Sequence, residues 1–188
     1  MPSKKSIHIL DCTLRDEPSE GTVLEEFFRI PELRKKVSID MVRVKTKQEF
    51  LKQLGRKCDI LHISAHGYVR KLKRSDKTPY YESNSQRIAL PFGEVGSKDL
   101  EGKITYKPEF IFLNACSMNW KEMYNAFHPD ATFLAPYYDV YWDEAIVYAL
   151  RFYQRLFIKR EDYVTAFHKT GKELKLKGIY NRIYPLSG

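Results

Sequence analysis

The sequence is poor in cysteine, with Cys12, Cys58 and Cys116 as its only three. An odd, low count excludes a small scaffold stapled by disulfides and fits free thiols in a reducing cytoplasm. No apolar run approaches the length that crosses a bilayer, which excludes a spanning helix and predicts no membrane partner. The start, Met1-Pro2-Ser3-Lys4-Lys5, runs directly into strand-like sequence. It lacks the apolar segment and small-residue cleavage site of a signal peptide. Internal repeats, low-complexity tracts and a domain linker are also missing, so a single domain over residues 1–188 is expected.

What is present describes a folded chain. Its 188 residues are 43% hydrophobic and 14% aromatic, enough for a real core and too apolar for a disordered chain. The net charge is +8, and the excess is uneven. Arg70, Lys71, Lys73, Arg74 and Lys77 crowd one loop; Lys169, Lys172, Lys175 and Lys177 crowd the carboxyl end. No nucleic-acid motif accompanies them, so they are read first as solvated surface, with nucleic acid as the alternative partner.

Apolar periodicity predicts strands over Ser6–Cys12, Ile39–Val44, Ile60–Ala65, Phe110–Ala115 and Thr132–Tyr137. A last strand is expected near Tyr180–Leu186. Helices are predicted over Thr22–Lys36, with Pro31 as a break or kink, and over Thr46–Arg56, Asn119–Phe127, Trp142–Ile158 and Asp162–Leu174. Thr46 with Glu49 has the spacing of a capping box. Alternating strands and helices predict an α/β three-layer sandwich with a mainly parallel sheet. The stretch of about 68–107 breaks the alternation and reads as a long insert or hairpin over the sheet edge.

Two of the predicted strands carry the chemistry. One ends in His62-Ile63-Ser64-Ala65-His66-Gly67, the other in Asn114-Ala115-Cys116-Ser117. A parallel sheet gathers the carboxyl ends of its strands on one edge, where open α/β folds bind ligands. His66 and Cys116 are therefore expected side by side. A thiol beside an imidazole is a nucleophile with its base, although free cysteines are often simply buried. His62 would face the same way along its strand; it could orient His66, or His62, His66 and Cys116 could hold zinc, but the supporting ligand spacing is absent. His8, His128 and His168 have no companions. Asp11 and Asp139 end or follow predicted strands at the same edge. They are read either as acids of a substrate pocket or as turn and cap residues. Asn114 and Ser117 are expected to shape the backbone around Cys116.

His66-Gly67, Ala115-Cys116, and Asp143-Glu144-Ala145 running on to Phe152-Tyr153, in this order, resemble the CHAT branch of the caspase-like cysteine peptidases, the clan of caspases, separases and gingipains. The resemblance covers about residues 59–175. Where that family often has Trp-Pro, this chain has Tyr137-Tyr138-Asp139-Val140-Tyr141-Trp142, which implies an altered substrate pocket. The resemblance implies a caspase-like central sheet and a cysteine endopeptidase that needs no cofactor. It implies Cys116 as nucleophile, His66 as base, and the backbone amides of Gly67 and Cys116 as oxyanion hole. It also implies a pocket at Asp11 and Asp139 that selects a basic side chain of a protein substrate. Members often serve prokaryotic stress or defence responses under a partner's control, which here implies a separate activator or sensor. A catalytically silent scaffold of the same fold is the competing expectation.

Overall fold

The structure, a computed structural model, describes residues 4–14, 17–70 and 85–184, and the backbone of two short strands, Leu72–Lys73 and Pro79–Tyr80. In chain order the elements are β1 (Lys5–Asp11), α1 (Glu20–Phe28), α2 (Pro31–Arg34), β2 (Val37–Arg43), α3 (Lys47–Leu54), β3 (Ile60–Ser64), β4 (His66–Val69), β5 (Leu72–Lys73) and β6 (Pro79–Tyr80). There follow β7 (Gln86–Leu90), β8 (Gly93–Gly96), α4 (Ser97–Leu100), β9 (Phe110–Asn114), α5 (Lys121–Phe127), β10 (Thr132–Leu134), α6 (Trp142–Phe157), α7 (Tyr163–Glu173) and β11 (Ile183–Tyr184).

Six strands form one sheet in the order β11-β10-β9-β3-β1-β2, parallel except where β11 runs against β10. Every residue of β3 and of β9 is buried, as the middle of a sheet covered on both faces requires, and on β3 that includes His62 and Ser64. Alternate residues feed two separate cores. Leu10, Leu61, Ile63, Ile111, Leu113 and Phe133 pack on one face, with α3, α5 and the insert. Ile7, Ile9, Ile60, Phe110, Phe112 and Leu134 pack on the other, with α1, α2, α6 and α7. The chain is therefore a three-layer α/β sandwich with a mostly parallel central sheet. Each fully buried Leu or Phe contributes about 1.5–3 kcal/mol by removal from water.

Winding turns around at β1. The chain first steps outward to β2, then returns past β1 to β3, β9 and β10. The crevice of such a sheet lies at the carboxyl ends of the strands where the order reverses, here β1 and β3.

Some boundaries differ from expectation. The helix expected over Thr22–Lys36 starts at Glu20 and is two helices, because Pro31 opens a second one. The fifth strand stops at Leu134, since the next turn is held instead by Met118 and Asn119 amides on the Pro136 carbonyl. Helix α5 begins at Lys121, two residues later than predicted. The insert is built: β4, β7 and β8 form a three-stranded antiparallel sheet, and its first strand begins at His66 itself. Of the final strand expected near Tyr180–Leu186, only Ile183–Tyr184 forms: residues 180–182 are not strand, and 185–186 lie outside the described residues.

Candidate active site

Parallel pairing sets the register. His62 pairs with Phe112 and Ser64 with Asn114, so the chain leaves the sheet at Ala65-His66 on one strand and Ala115-Cys116 on its neighbour. The Ala65 amide donates to the Asn114 carbonyl, 3.2 Å, extending the ladder to the edge. Beyond it the two loops touch through backbone. A Cβ placed on Gly67 would lie 2.1 Å from the Cys116 oxygen and 2.9 Å from its nitrogen. Only glycine permits that approach. Hydrogen-bonded pairs alternate along β4 and β7, and Arg70 donates to Ser85, so the Gly67–Ile88 pair is of the other kind. The Gly67 N–H is thus directed away from β7.

Cys116 is half-buried, and its thiol is held by the next loop. Sγ lies 3.5 Å from the Val140 carbonyl oxygen and accepts from the Val140 amide at 3.4 Å. Burial pushes the thiol pKa up; the Val140 amide opposes this, and the nearby Asp139 charge adds to it. Ser117, the next residue, sits at φ 57°, a left-handed conformation that is uncommon for serine. Its hydroxyl donates to Asp139, 2.9 Å, and its amide to the Tyr138 carbonyl, 3.3 Å. Ser117 thus bends the chain directly after Cys116, as expected of a residue shaping this backbone.

His66 is held from two sides. Its Nε2 lies 2.7 Å from Glu17 Oε2, and the Trp142 indole stacks on the ring, centroids 5.3 Å apart and planes at 23°. The indole N–H donates to the Pro18 carbonyl, 2.5 Å. Among the described residues no hydrogen bond joins His66 to Cys116: the structure packs Gly67 on the Cys116 backbone and gives each of the two side chains another partner. Glu17 carried no signal in the sequence, being one acid in the loop after β1; only the fold places it against His66.

The two aspartates differ. Asp11 ends β1 at 1% exposure, and its oxygens accept from the Thr13 amide at 3.1 Å, from the Thr13 hydroxyl, and from Ser19 Oγ at 2.6 Å. Arg43 approaches to 4.0 Å. Asp139 is exposed and lies beside Cys116 through Ser117. Exposed Tyr138 and Tyr141 flank it in sequence.

His62 does not orient His66. It is fully buried on the α6 face, with Nδ1 2.9 Å from the Tyr153 hydroxyl and Nε2 3.4 Å from Glu20. Glu20 also accepts from Asn114, 2.6 Å, whose amide donates to the Ala145 carbonyl and whose oxygen accepts from Tyr180, 2.7 Å. This network ties the starts of α1 and α6 to both strands just below the candidate site. Among the described residues no three His, Cys, Asp or Glu side chains are disposed to hold a metal ion.

Compared with known proteins, the chain matches no family model and no curated protein. Among the described residues no helix is long and apolar enough to cross a membrane. Of the basic clusters, Arg70 is paired with Glu94 and Lys169 with Glu161. Lys71, Arg74, Lys77 and the side chain of Lys73 lie outside the described residues.

Proposed function

We propose that this chain is a caspase-like cysteine endopeptidase of the CHAT type, with Cys116 as nucleophile and His66 as base. One observation carries the reading: the His66-Gly67 and Ala115-Cys116 strand ends abut, with the Gly67 α-carbon packed on the Cys116 backbone. That is the contact a dyad on neighbouring strands needs.

The chemistry follows. Cys116 gives its proton to His66, and the sulfur attacks the carbonyl carbon of the scissile peptide. Negative charge develops on the carbonyl oxygen, and the backbone amides of Gly67 and Cys116 are the donors for it. The C–N bond breaks as the imidazolium protonates the leaving amine. Water, deprotonated by His66, then hydrolyses the thioester and frees the enzyme. No cofactor takes part.

The side chains in hand describe a resting site. The thiol is bonded to Val140 and kept protonated by burial, while the imidazole is bonded to Glu17. Turning the thiol from Val140 toward His66 is the step that readies the dyad; the chain alone makes it at a low rate, and a separate activator or sensor protein would raise that rate by moving the 137–141 loop. Asp139, exposed beside the thiol, is the acid open to a Lys or Arg of a protein substrate. Asp11 spends its oxygens on Thr13 and Ser19, so its part in the pocket is to shape the loop after β1.

A positional-scanning peptide library, incubated with wild type, Cys116→Ala, His66→Ala and the double variant, tests the assignment. Cleavage after Lys or Arg is expected from wild type only, and the double variant should be no worse than either single one. Full cleavage by Cys116→Ala would show that the nucleophile lies elsewhere.

A further inference from the structure

We propose that Glu17 is the positioning residue of this site: it holds the Nε2–H of His66 and so leaves Nδ1 as the nitrogen that accepts the proton. The proposal rests on reading His66 and Cys116 as a dyad.

A neutral imidazole has one N–H and one bare nitrogen, and the partner of one decides the state of the other. An ionised carboxylate only accepts. With Glu17 Oε2 2.7 Å away, Nε2 must carry the hydrogen. The bare nitrogen is then Nδ1, and among the described residues no hydrogen bond occupies it.

Glu17 is itself placed by its loop. Its amide donates to the Leu14 carbonyl, 3.2 Å, and its Oε2 accepts from the Leu14 amide, 3.3 Å. Pro18 is pinned by Trp142, and Ser19 by Asp11. Trp142 thus fixes the His66 ring by its face, Glu17 fixes it by its edge, and Pro18 joins the two supports. Ring orientation and tautomer are both set by a segment that leaves β1 at the switch point of the sheet. The same division of labour, acid to imidazole to nucleophile, is the logic of a catalytic triad.

The test uses the full chain and two readouts. Long-range proton–nitrogen spectra of the ring, taken where it is neutral, report the tautomer. Iodoacetamide, with the adduct located by peptide mass mapping, reports the alkylation rate of Cys116. Wild type should show the Nε2–H tautomer alone. Glu17→Gln and Glu17→Ala should show a mixture and alkylate about tenfold slower, because a misoriented base loses part of the roughly hundredfold or more that a positioned one contributes. In a His66→Ala background the Glu17 substitutions should have no further effect, because they act through the ring. An unchanged tautomer in both Glu17 variants overturns the proposal. So does faster alkylation, which would make Glu17 a latch that restrains His66. If His66→Ala alone leaves alkylation at the wild-type rate, the dyad reading fails, and the tautomer spectra still decide the Glu17 contact by themselves.

Discussion

A methyl group at position 67 has nowhere to go, because the Cys116 carbonyl oxygen stands 2.1 Å from where it would sit. Gly67→Ala should therefore push the two strand ends apart. The expected cost is about 1–3 kcal/mol in a urea unfolding curve, typical of overpacking. On the proposed reading, loss of peptidase activity should be complete, since both proposed oxyanion donors would move. A variant as active as wild type would show that the abutment does not matter to catalysis. The thiols make a second, independent prediction. Burial raises the pKa of Cys12 well above the ordinary value, with the Asp11 charge adding to it. The unfolded chain then releases that proton at lower pH than the folded one, so stability is whole below the ordinary thiol pKa and falls as pH rises through the window above it. Buried Tyr153 and Tyr180 act in the same direction, both raised by burial and by the Glu20 charge. Unfolding midpoints measured from neutral to strongly alkaline pH should fall, and Cys12→Ala should fall less steeply. A flat profile would contradict the burial assigned to these groups.

Elements are positioned around the site by Asn114, the last residue of β9. Its amide and carbonyl join α1 through Glu20, α6 through the Ala145 carbonyl and the carboxyl-terminal segment through Tyr180. Asn114→Ala takes the amide donor from the buried Glu20 carboxylate, leaving it the His62 ring 3.4 Å away, and takes the acceptor from the buried Tyr180 hydroxyl. About 3 kcal/mol should be lost, which at this chain length lowers Tm by about 6–12 °C. A loss below about 0.5 kcal/mol, the ordinary range for surface changes, would mean the network is not what holds these elements. Most elements were legible in the sequence for local reasons. The Thr46–Glu49 capping box forms, with Glu49 donated to by the Thr46 amide at 3.1 Å and Thr46 by the Glu49 amide at 3.3 Å. Helix α6 keeps its predicted start at Trp142 because its apolar stripe is long and regular. The insert was legible only as an interruption. Its strands are short, and their pairing depends on β4 leaving the sheet at His66, which no local pattern announces.

For the molecule as a whole, winding brings loops from β1, β3 and β9 to one edge. The parallel sheet, and the abutment of the Gly67 and Cys116 backbones at one edge, followed from apolar runs ending in polar residues. Glu17 did not, because its role depends on a contact between residues 49 positions apart. Nor did the unequal burial of Asp11 and Asp139, which arises from the loop hydrogen bonds at the end of β1. The specificity prediction is made at this scale: Asp139→Asn should slow reaction with substrates carrying Arg or Lys about tenfold, the value of one charge-assisted bond, with Tm nearly unchanged. The most direct test of the central claim is covalent. A peptidyl acyloxymethyl ketone ending in Arg is incubated with the protein, and the adduct is located by mass spectrometry in wild type, His66→Ala and Cys116→Ala. A cysteine peptidase with this dyad carries the adduct on Cys116, leaves buried Cys12 and Cys58 bare, and loses the label in both variants. Labelling of Cys116 that is untouched by His66→Ala, or a label confined to Cys12 or Cys58, would contradict it.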